Sequence, residues 1–313
     1  MKEFLYEPEG ILFSTSQNRE CISSLAGLER AMIQGKILEG IALMCDSDMN
    51  LHIDLGGIRG IIPKKEVLFH REGEEHKDIA ILTRVGKAVC FKVISIERRG
   101  ANVSIILSRR AAQLDCIHNY LSDLVCGDII RAKVTHLDNF GAFVDIGCGI
   151  ISLLSVDCIS VSRISHPSDR FSTGEHIWVA VKNIDRDNGR IFVTHRELLG
   201  TWEENAAGFK VGQTVAGIVR SIESYGIFIE LTPNLAGLAE LREGVRIGEN
   251  YSVYIKNMIP NKMKVKLVLI DSGTQESLTS PKKYYIDTSK TTHIDRWLYS
   301  PPSSNKIIET VFQ

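Results

Sequence analysis

The sequence contains no hydrophobic run long enough to cross a membrane. No stretch of about 18 apolar residues occurs among its 313 positions. The acidic start, MKEFLYEPEG, also lacks the apolar core of a secretory signal. We therefore expect a cytoplasmic protein with no membrane attachment.

Cysteines in paired spacing are also missing. The seven cysteines are odd in number and scattered, and none forms a Cys-x-x-Cys pair. This pattern favours neither a zinc site nor a disulfide framework. We expect reduced, mostly buried thiols, no bound metal and no cofactor.

An excess of either charge is absent as well, since the net charge is −1 and the pI is near 6.8. A bulk cationic field is therefore too weak to hold a polyanion, and local patches and stacking would have to bind it. No catalytic constellation is apparent either. The histidines of the central region have no metal-binding spacing and are interpreted as scattered: His136, His166, His176 and His195. We expect no enzymatic activity.

What the sequence does contain is an internal repeat. GDIIRAKVTHLDNFGAFVDIG from Gly127 matches GQTVAGIVRSIESYGIFIELT from Gly212, with apolar residues and glycines in register. A weaker copy, GKILEGIALMCDSDMNLHIDLGG, begins at Gly35. The spacings of the three copies, 92 and 85 residues, suit small independent domains.

Each copy alternates apolar and polar residues in short runs, which predicts β-strands. In the second copy DRDNGR contains an Asn-Gly pair typical of a tight hairpin turn. Five short antiparallel strands with a helical turn after the third describe a Greek-key barrel of the OB type. The predicted strands of this copy are 128–137, 142–146, 150–154, 177–185 and 190–195.

Helical spacing of apolar residues appears in the segments that join the copies. We therefore predict an all-β protein of tandem five-stranded OB-fold barrels joined by short helices. Residues 1–34 form an N-terminal segment with a lead-in helix, and 273–313, rich in Ser, Thr and Pro, form a flexible tail in which order is expected only around residues 294–299. The remaining parts are repeat one (35–110, degenerate), a connector helix (111–126), repeat two (127–200) and repeat three (201–272).

Two phenylalanines lie three residues apart where the second strand of repeat two begins. Phe143 alternates with Val144 and so faces away from the barrel core, and Phe140 precedes the strand and leans onto the same face. Repeat three has the same arrangement in Tyr225 and Phe228. The alternative is that both rings are core residues, but recurrence favours an exposed platform on which unpaired bases stack.

These motifs, with RISHPSDRFSTGEHI and the terminal DRDNGRIFVTHREL, resemble the tandem RNA-binding domains of the bacterial ribosomal protein S1 family. The resemblance covers about residues 35–272 and is weaker for repeat one. It implies contacts between RNA and Phe140, Phe143, Asp185 and Arg190. The family also has a histidine after the third strand, and here Ser155 stands in its place.

For repeat three the resemblance implies RNA contacts from Tyr225, Phe228 and Lys264. Glu240 takes the histidine position, where a carboxylate would repel phosphate, and the Asp position falls near Pro260. Nearby lysines offset that charge if they share the face: Lys256, Lys262 and Lys266. Repeat one lacks the aromatic pair, and its GIIP motif implies docking on a protein partner, although a net charge of +3 leaves contact with ribosomal RNA open.

The resulting hypothesis is a monomer that binds single-stranded RNA, including mRNA, and acts in translation with the small ribosomal subunit. Two alternatives remain open: an adaptor that docks on the ribosome or another assembly, and a non-ribosomal regulator of transcript stability. Exposed rings on the outer sheet faces would favour RNA binding, and buried rings would favour the adaptor.

Overall fold

The structure is a computed structural model that describes residues 6–70, 78–99, 102–272 and 283–313. Its central feature is three closed five-stranded barrels, one for each repeat. The first and third barrels have the strand order 1-2-3-5-4, in which strands three and five pair in parallel and the other neighbours are antiparallel. The second barrel has the same neighbours. The predicted fold class is therefore confirmed.

The strands follow the repeats in order. Repeat one contains β1 (Leu38–Cys45), β2 (Leu51–Asp54), β3 (Arg59–Ile62), β4 (Ala88–Arg99) and β5 (Asn102–Ser108). Repeat two contains β6 (Ile129–Asp138), β7 (Gly141–Asp145), β8 (Ile151–Ser155), β9 (His176–Asp185) and β10 (Arg190–Thr194). Repeat three contains β11 (Thr214–Glu223), β12 (Gly226–Thr232), β13 (Leu235–Ala239), β14 (Asn250–Ile259) and β15 (Lys264–Ser272). The strands of repeat two lie within one residue of their predicted ends, because alternation and the hairpin turn both mark them.

Short helices precede and join the barrels. They are α1 (Ser16–Ile22), α2 (Leu25–Ile33), α3 (Asp78–Leu82), α4 (Arg109–Asn119) and α5 (Trp202–Ala206). Single 3-10 turns occupy Leu12–Ser14, Lys64–Glu66, Leu121–Asp123, Val156–Cys158, Pro167–Asp169, Arg196–Leu199 and Pro260–Lys262. The predicted lead-in helix is divided in two, because the Ser24 side chain accepts the Gly27 N–H and caps a new helix.

The chain divides into two compact units. The first comprises residues 1–124, 131–133 and 145–151, and the second comprises 125–130, 134–144 and 152–313, within the described ranges. The core of the first is the interior of barrel one with residues from α1, α2 and α3 against it. The second has one core centred on barrel three and a smaller cluster on repeat two.

A buried ionic cluster lies in the first unit. The guanidinium of Arg109 is fully buried and donates from Nε and Nη2 to the Glu9 carboxylate at 2.6 and 3.0 Å. The Glu9 N–H donates in turn to Asp145 at 2.8 Å. Burial alone would raise the pKa of Glu9, but the charge of Arg109 and its hydrogen bonds lower it. This carboxylate is therefore held charged in the interior by its partner.

Glu39 belongs to the same unit and faces the N-terminal segment. Its carboxylate accepts the N–H groups of Gly10 at 3.0 Å and Phe13 at 2.7 Å. Burial raises the pKa of Glu39 to about 7, and the charges of Glu9 and Asp145 act in the same direction against the two N–H donors. Nearby acidic groups and burial thus outweigh its hydrogen bonds.

Residues 283–313 differ from the flexible tail predicted for 273–313; the first ten of those positions lie outside the described residues. Strands β16 (Arg296–Leu298) and β17 (Glu309–Val311) form a hairpin. Trp297 and Tyr299 join the core around barrel three, and the Tyr299 hydroxyl donates to the Asn234 carbonyl at 2.7 Å. The Ser, Thr and Pro content around the hairpin predicted a largely flexible segment, because composition does not show that two aromatic rings in it are buried.

Candidate nucleic-acid interface

A glycine opens the second strand of both repeat two and repeat three. A Cβ on Gly141 would lie 2.5 Å from a carbonyl oxygen of the third strand, and one on Gly226 would lie 2.6 Å from the corresponding oxygen. Only glycine allows this close approach. The preceding rings stand at the turn and point to solvent, with Phe140 52% exposed and Tyr225 67% exposed.

The second ring of each pair lies on the strand itself. Phe143 and Phe228 are half-buried, whereas the residues on either side of them in the strand are buried, so both rings lie on the outer face. Phe143 contacts Phe140 edge-to-face at a centroid distance of 5.7 Å and 88°. Phe228 and Tyr225 repeat that geometry at 6.0 Å and 90°. The two repeats therefore present the same arrangement of two rings.

Strand register defines a row of side chains across each outer face, which we call the outer row. In repeat one it runs Met44, His52, Ile61, Ile106, Ser95. In repeat three it runs Ser221, Phe228, Leu238, Lys266, Asn257. In repeat two the register joins Leu153, Phe192 and Asn183, and the repeat alignment adds His136 and Phe143 at the other end. The outer rows thus differ in composition at matching positions.

A cation opens the last strand in both ring-bearing repeats. Arg190 pairs in register with Asp185, and Lys264 pairs with Ile259. Both cations are exposed and make no ion pair among the described residues. Residues two apart on a strand share a face, so Arg190 lies on the face of the Phe192 ring. Ile259, next to Pro260, occupies the place of the aspartate in repeat three.

Asp185 is engaged in the hairpin turn. Its carboxylate accepts the backbone N–H of Asn188 at 3.0 Å and the side-chain amide of Asn188 at 2.8 Å. These hydrogen bonds lower the pKa of Asp185. The side chain therefore holds the turn that places Arg190, whatever else it contacts.

Four lysines cluster at the end of the hairpin in repeat three. Lys264 and Lys266 flank the buried Val265 and so share the outer face, and Lys256 follows a buried residue on β14. The fourth, Lys262, lies in the turn. All four are exposed and have no carboxylate partner in the part of the chain that the structure describes. Glu240 is exposed at the end of β13.

Two residues of the outer row of repeat two were missed by the sequence analysis. Phe192 is half-buried and lies between Leu153 and Asn183. His136 is exposed and its ring stacks on that of Phe143, with centroids 6.1 Å apart and 27° between the planes. Strict alternation would have placed His136 on the face of the buried Ala132 and Val134, so neither its exposure nor its contact with Phe143 could be read from the sequence.

The other central histidines have local structural contacts. His166 caps the 3-10 turn at Pro167–Asp169, accepting the Ser168 N–H at 3.1 Å. His195 is buried, with Nδ1 3.0 Å from the carbonyl oxygen of Ile159. No group of three or more His, Cys, Asp or Glu side chains in the described ranges is placed to hold a metal ion.

The outer row of repeat one has no aromatic pair. His52 stands where Phe143 and Phe228 stand, and its Nε2 lies 3.1 Å from an Asp46 carboxylate oxygen. Most of the described cations of this repeat are paired with carboxylates, as in Lys92–Asp115 at 2.6 Å and Lys64–Asp78 at 2.8 Å. Within the described residues, its outer row therefore offers no aromatic pair, and most of its cations are neutralised by carboxylates.

Tandem OB-type barrels with aromatic residues and unpaired cations on the outer face define a class of oligonucleotide-binding modules. Comparison with known proteins identifies which family of such modules this chain resembles. Residues 126–196 match the S1 RNA binding domain family. These residues belong to that family, and the chain as a whole is similar to bacterial bS1 proteins.

Two relatives illustrate the similarity. The small ribosomal subunit protein bS1 homolog of Bacillus subtilis (strain 168) is 34% identical over 237 residues, which are 74% of this chain and 58% of the relative. The small ribosomal subunit protein bS1 of Leuconostoc lactis is 27% identical over 289 residues, 88% of this chain and 63% of the relative. The chain thus spans about three fifths of the length of these relatives.

The descriptions of the family and of the relatives name RNA binding and ribosomal proteins rather than a catalytic activity, in agreement with the prediction of a non-enzymatic protein. In the described ranges, no helix is long and apolar enough to span a membrane.

Proposed function

We propose that the chain binds single-stranded RNA through the outer faces of repeats two and three. The observation that carries this proposal is the recurrence of the edge-to-face ring pair at the same strand positions in both barrels. A base can stack on such rings only when it is unpaired, and each stacked base contributes ~1–3 kcal/mol.

The cations support the same proposal. Arg190 and Lys264 open the last strand on the ring-bearing face, where a backbone whose bases lie on the rings would bring phosphates. Neither makes an ion pair within 4 Å in the described ranges, and, after the Asn188 hydrogen bonds, the charge of Arg190 contributes to the lowered pKa of Asp185 opposite it. We therefore assign the RNA contacts to Phe140, Phe143, Arg190, Tyr225, Phe228 and Lys264, and to Asp185 through the turn that it holds.

Ring exposure supports RNA binding over the adaptor alternative. Phe140 and Tyr225 are more than half exposed, so burial in the core does not explain large rings at these turns. An adaptor that needed only the barrel scaffold would bury these rings or replace them by smaller residues, as repeat one does. RNA binding through repeats two and three therefore has the better support.

The setting that we propose is translation in the cytoplasm, with mRNA held near the small ribosomal subunit. It rests on the similarity to small ribosomal subunit proteins bS1, of which the chain spans only part. Pelleting of ribosomes from lysate at low and high salt, followed by blotting for this protein, tests it. Absence from the small-subunit fraction at low salt would contradict a ribosomal role and favour a free RNA regulator.

The decisive test of RNA binding is Phe143→Ala and Phe228→Ala, separately and together. Each single change should weaken binding to a pyrimidine-rich oligonucleotide by ~1–3 kcal/mol, or about fivefold to a hundredfold. Both rings are half-buried, so each change should cost less than the ~3–5 kcal/mol of stability lost when a core aromatic is removed. Thermal melts beside filter-binding titrations separate the two effects.

Ile247→Ala is the matched control, since Ile247 is a large exposed side chain in the loop between β13 and β14 and is not a member of the outer row. It should leave RNA affinity unchanged. Unchanged affinity in the double phenylalanine variant, with a normal melt, would refute the proposed interface.

A further inference from the structure

Repeat two carries a third ring beside its aromatic pair. His136 lies on β6, next to β7 in the barrel, and its ring is nearly parallel to that of Phe143 at a centroid distance of 6.1 Å. The side chain is exposed and makes no hydrogen bond or ion pair in the described part of the chain. Among the described residues, therefore, no polar contact explains an imidazole at this position, and its one ring contact is with Phe143.

The angle between the rings decides what they can bind together. Phe140 meets Phe143 at 88°, so a base on one ring must turn by about a right angle to lie on the other. His136 meets Phe143 at only 27°. Two consecutive bases can therefore remain stacked on each other while one contacts Phe143 and the next contacts His136.

The ring is specific to repeat two. The matching position is Ser221 in repeat three and Met44 in repeat one, as the register of the outer rows shows. Repeat three thus has the same two rings as repeat two, with a small hydroxyl where the third would be. The two outer rows also differ where Phe192 of repeat two matches Lys266 of repeat three, so the role of His136 is tested by exchanging His136 and Ser221 alone.

We propose that His136 is a third base-stacking ring, so that repeat two accommodates one more unpaired base than repeat three. This inference rests on the proposed RNA-binding function of the outer faces. It assigns to His136 a binding role, through stacking of its imidazole on a base, and not a role in metal binding or catalysis.

Exchange of the two matching residues tests the proposal in the full chain. His136→Ser should weaken binding to an unstructured pyrimidine oligonucleotide by about fivefold to a hundredfold, and should shorten by one nucleotide the length at which affinity saturates. His136→Tyr, which keeps a ring, should restore most of the affinity. Ser221→His should strengthen binding at least threefold when it is measured in the Phe143→Ala protein, where repeat three dominates.

His118→Ala is the control, because His118 is an exposed histidine on α4, outside the barrels. A normal thermal melt of His136→Ser is required alongside, because a packing role for His136 would lower the melting temperature without shortening the saturating length. That result would overturn the proposal. Loss of affinity that Tyr does not restore would also overturn it, since a polar contact rather than stacking would then be responsible.

The outcomes separate this inference from the function on which it rests. If Phe143→Ala weakens binding and His136→Ser does not, the interface stands and the third ring is refuted. If neither change affects binding, the proposed function itself fails.

Discussion

Repeat one has the higher net charge, but repeat three has more lysines and arginines without a carboxylate partner among the described residues. Repeat one has 13 Lys and Arg against 10 Asp and Glu, a net +3, whereas repeat three has eight of each. Yet six of the ten cations described in repeat one are within 4 Å of a carboxylate, compared with one of eight in repeat three. The repeat with the lower net charge therefore presents more unpaired cations.

The comparison shows that a short domain's attraction for a polyanion depends on where its carboxylates lie. In repeat three the unpaired lysines gather at one end of the last hairpin, and the acidic residues lie mostly elsewhere. In repeat one the carboxylates sit beside the cations, and one of these pairs, Glu9 with Arg109, is buried. Over distances shorter than the Debye length, local arrangement outweighs net charge.

The largest effect on stability is expected at Arg109, because its charge holds the buried Glu9 carboxylate and does not contact RNA in the proposed interface. Arg109→Met should lower the unfolding free energy of the first unit by ~3–5 kcal/mol, because it leaves Glu9 buried without its main partner. RNA affinity should not change while the protein remains folded. Urea unfolding followed by circular dichroism, with hydrogen exchange of the α4 amides, measures the loss.

A double variant controls for this effect. Glu9→Gln together with Arg109→Met should recover part of the lost stability, since no unpaired carboxylate remains. Equal losses in the single and double variants would show that packing of the long Arg109 side chain, rather than its charge, stabilises the unit.

The next effect is a pH dependence confined to the first unit. Burial raises the pKa of Glu39 to about 7 from 4.5, so its contribution to stability is fully present below pH 4.5 and is lost as the pH rises through 7. Glu39→Gln removes this titration. Between pH 4.5 and 8 the wild-type unfolding free energy should fall relative to that of the variant by on the order of 2–3 kcal/mol.

The relevant measurement is the difference between the two proteins at each pH, since Glu9 and Asp145, the acidic groups that face Glu39, are present in both. Parallel curves for wild type and variant across this window would show that Glu39 remains charged in the folded state.

Much of the fold could be predicted from the sequence because its signals are local. Alternation of apolar residues and the turn at Asn188 and Gly189 located the strands of repeat two within a residue. Order around Trp297 was expected, but the pairing of β16 with β17 was not predicted, because its stability comes from contacts with the core of barrel three, far away in the sequence. The composition of a segment does not show which residues distant in the sequence pack against it.

The candidate site shows the same limit. Phe143 could be assigned to an outer face from alternation, and its partner Phe140 from spacing. His136 and Phe192 needed the pairing of strands, which the sequence did not provide. The pairing of Lys92 with Asp115 likewise joins residues distant in the chain, so the charge count of repeat one gave no indication that its cations were neutralised.

A smaller effect is expected from the unpaired lysines of repeat three. Lys264→Ala with Lys266→Ala should reduce the steepness of the salt dependence of RNA binding by about 1.4, because each phosphate contact on a single strand contributes ~0.7. The wild-type slope should be about 1.5–3 per tenfold change in salt, as expected for ~2–4 phosphate contacts. Titrations at several salt concentrations measure both.

Lys65→Ala is the matched control, since Lys65 is an exposed cation of repeat one without a carboxylate partner among the described residues. It should leave the slope unchanged. An equal decrease from this single change and from the lysine pair would mean that repeat one also contacts the RNA backbone.

The smallest effect tests whether ion pairing with carboxylates is what keeps the cations of repeat one from binding RNA. Glu29 and Arg98 form an exposed ion pair at 2.6 Å, with side chains 40% and 60% exposed. Glu29→Gln should change the unfolding free energy by less than ~0.5 kcal/mol, because exposed pairs contribute little to stability. It leaves Arg98 without its partner, so the salt slope of RNA binding should steepen by no more than ~0.7. Affinity should rise less than about threefold, since no aromatic pair is present in this repeat to stack a base and hold a strand against the cation. A tenfold rise would show that carboxylates alone restrained repeat one, and the difference between the repeats would then be one of charge pairing and not of rings.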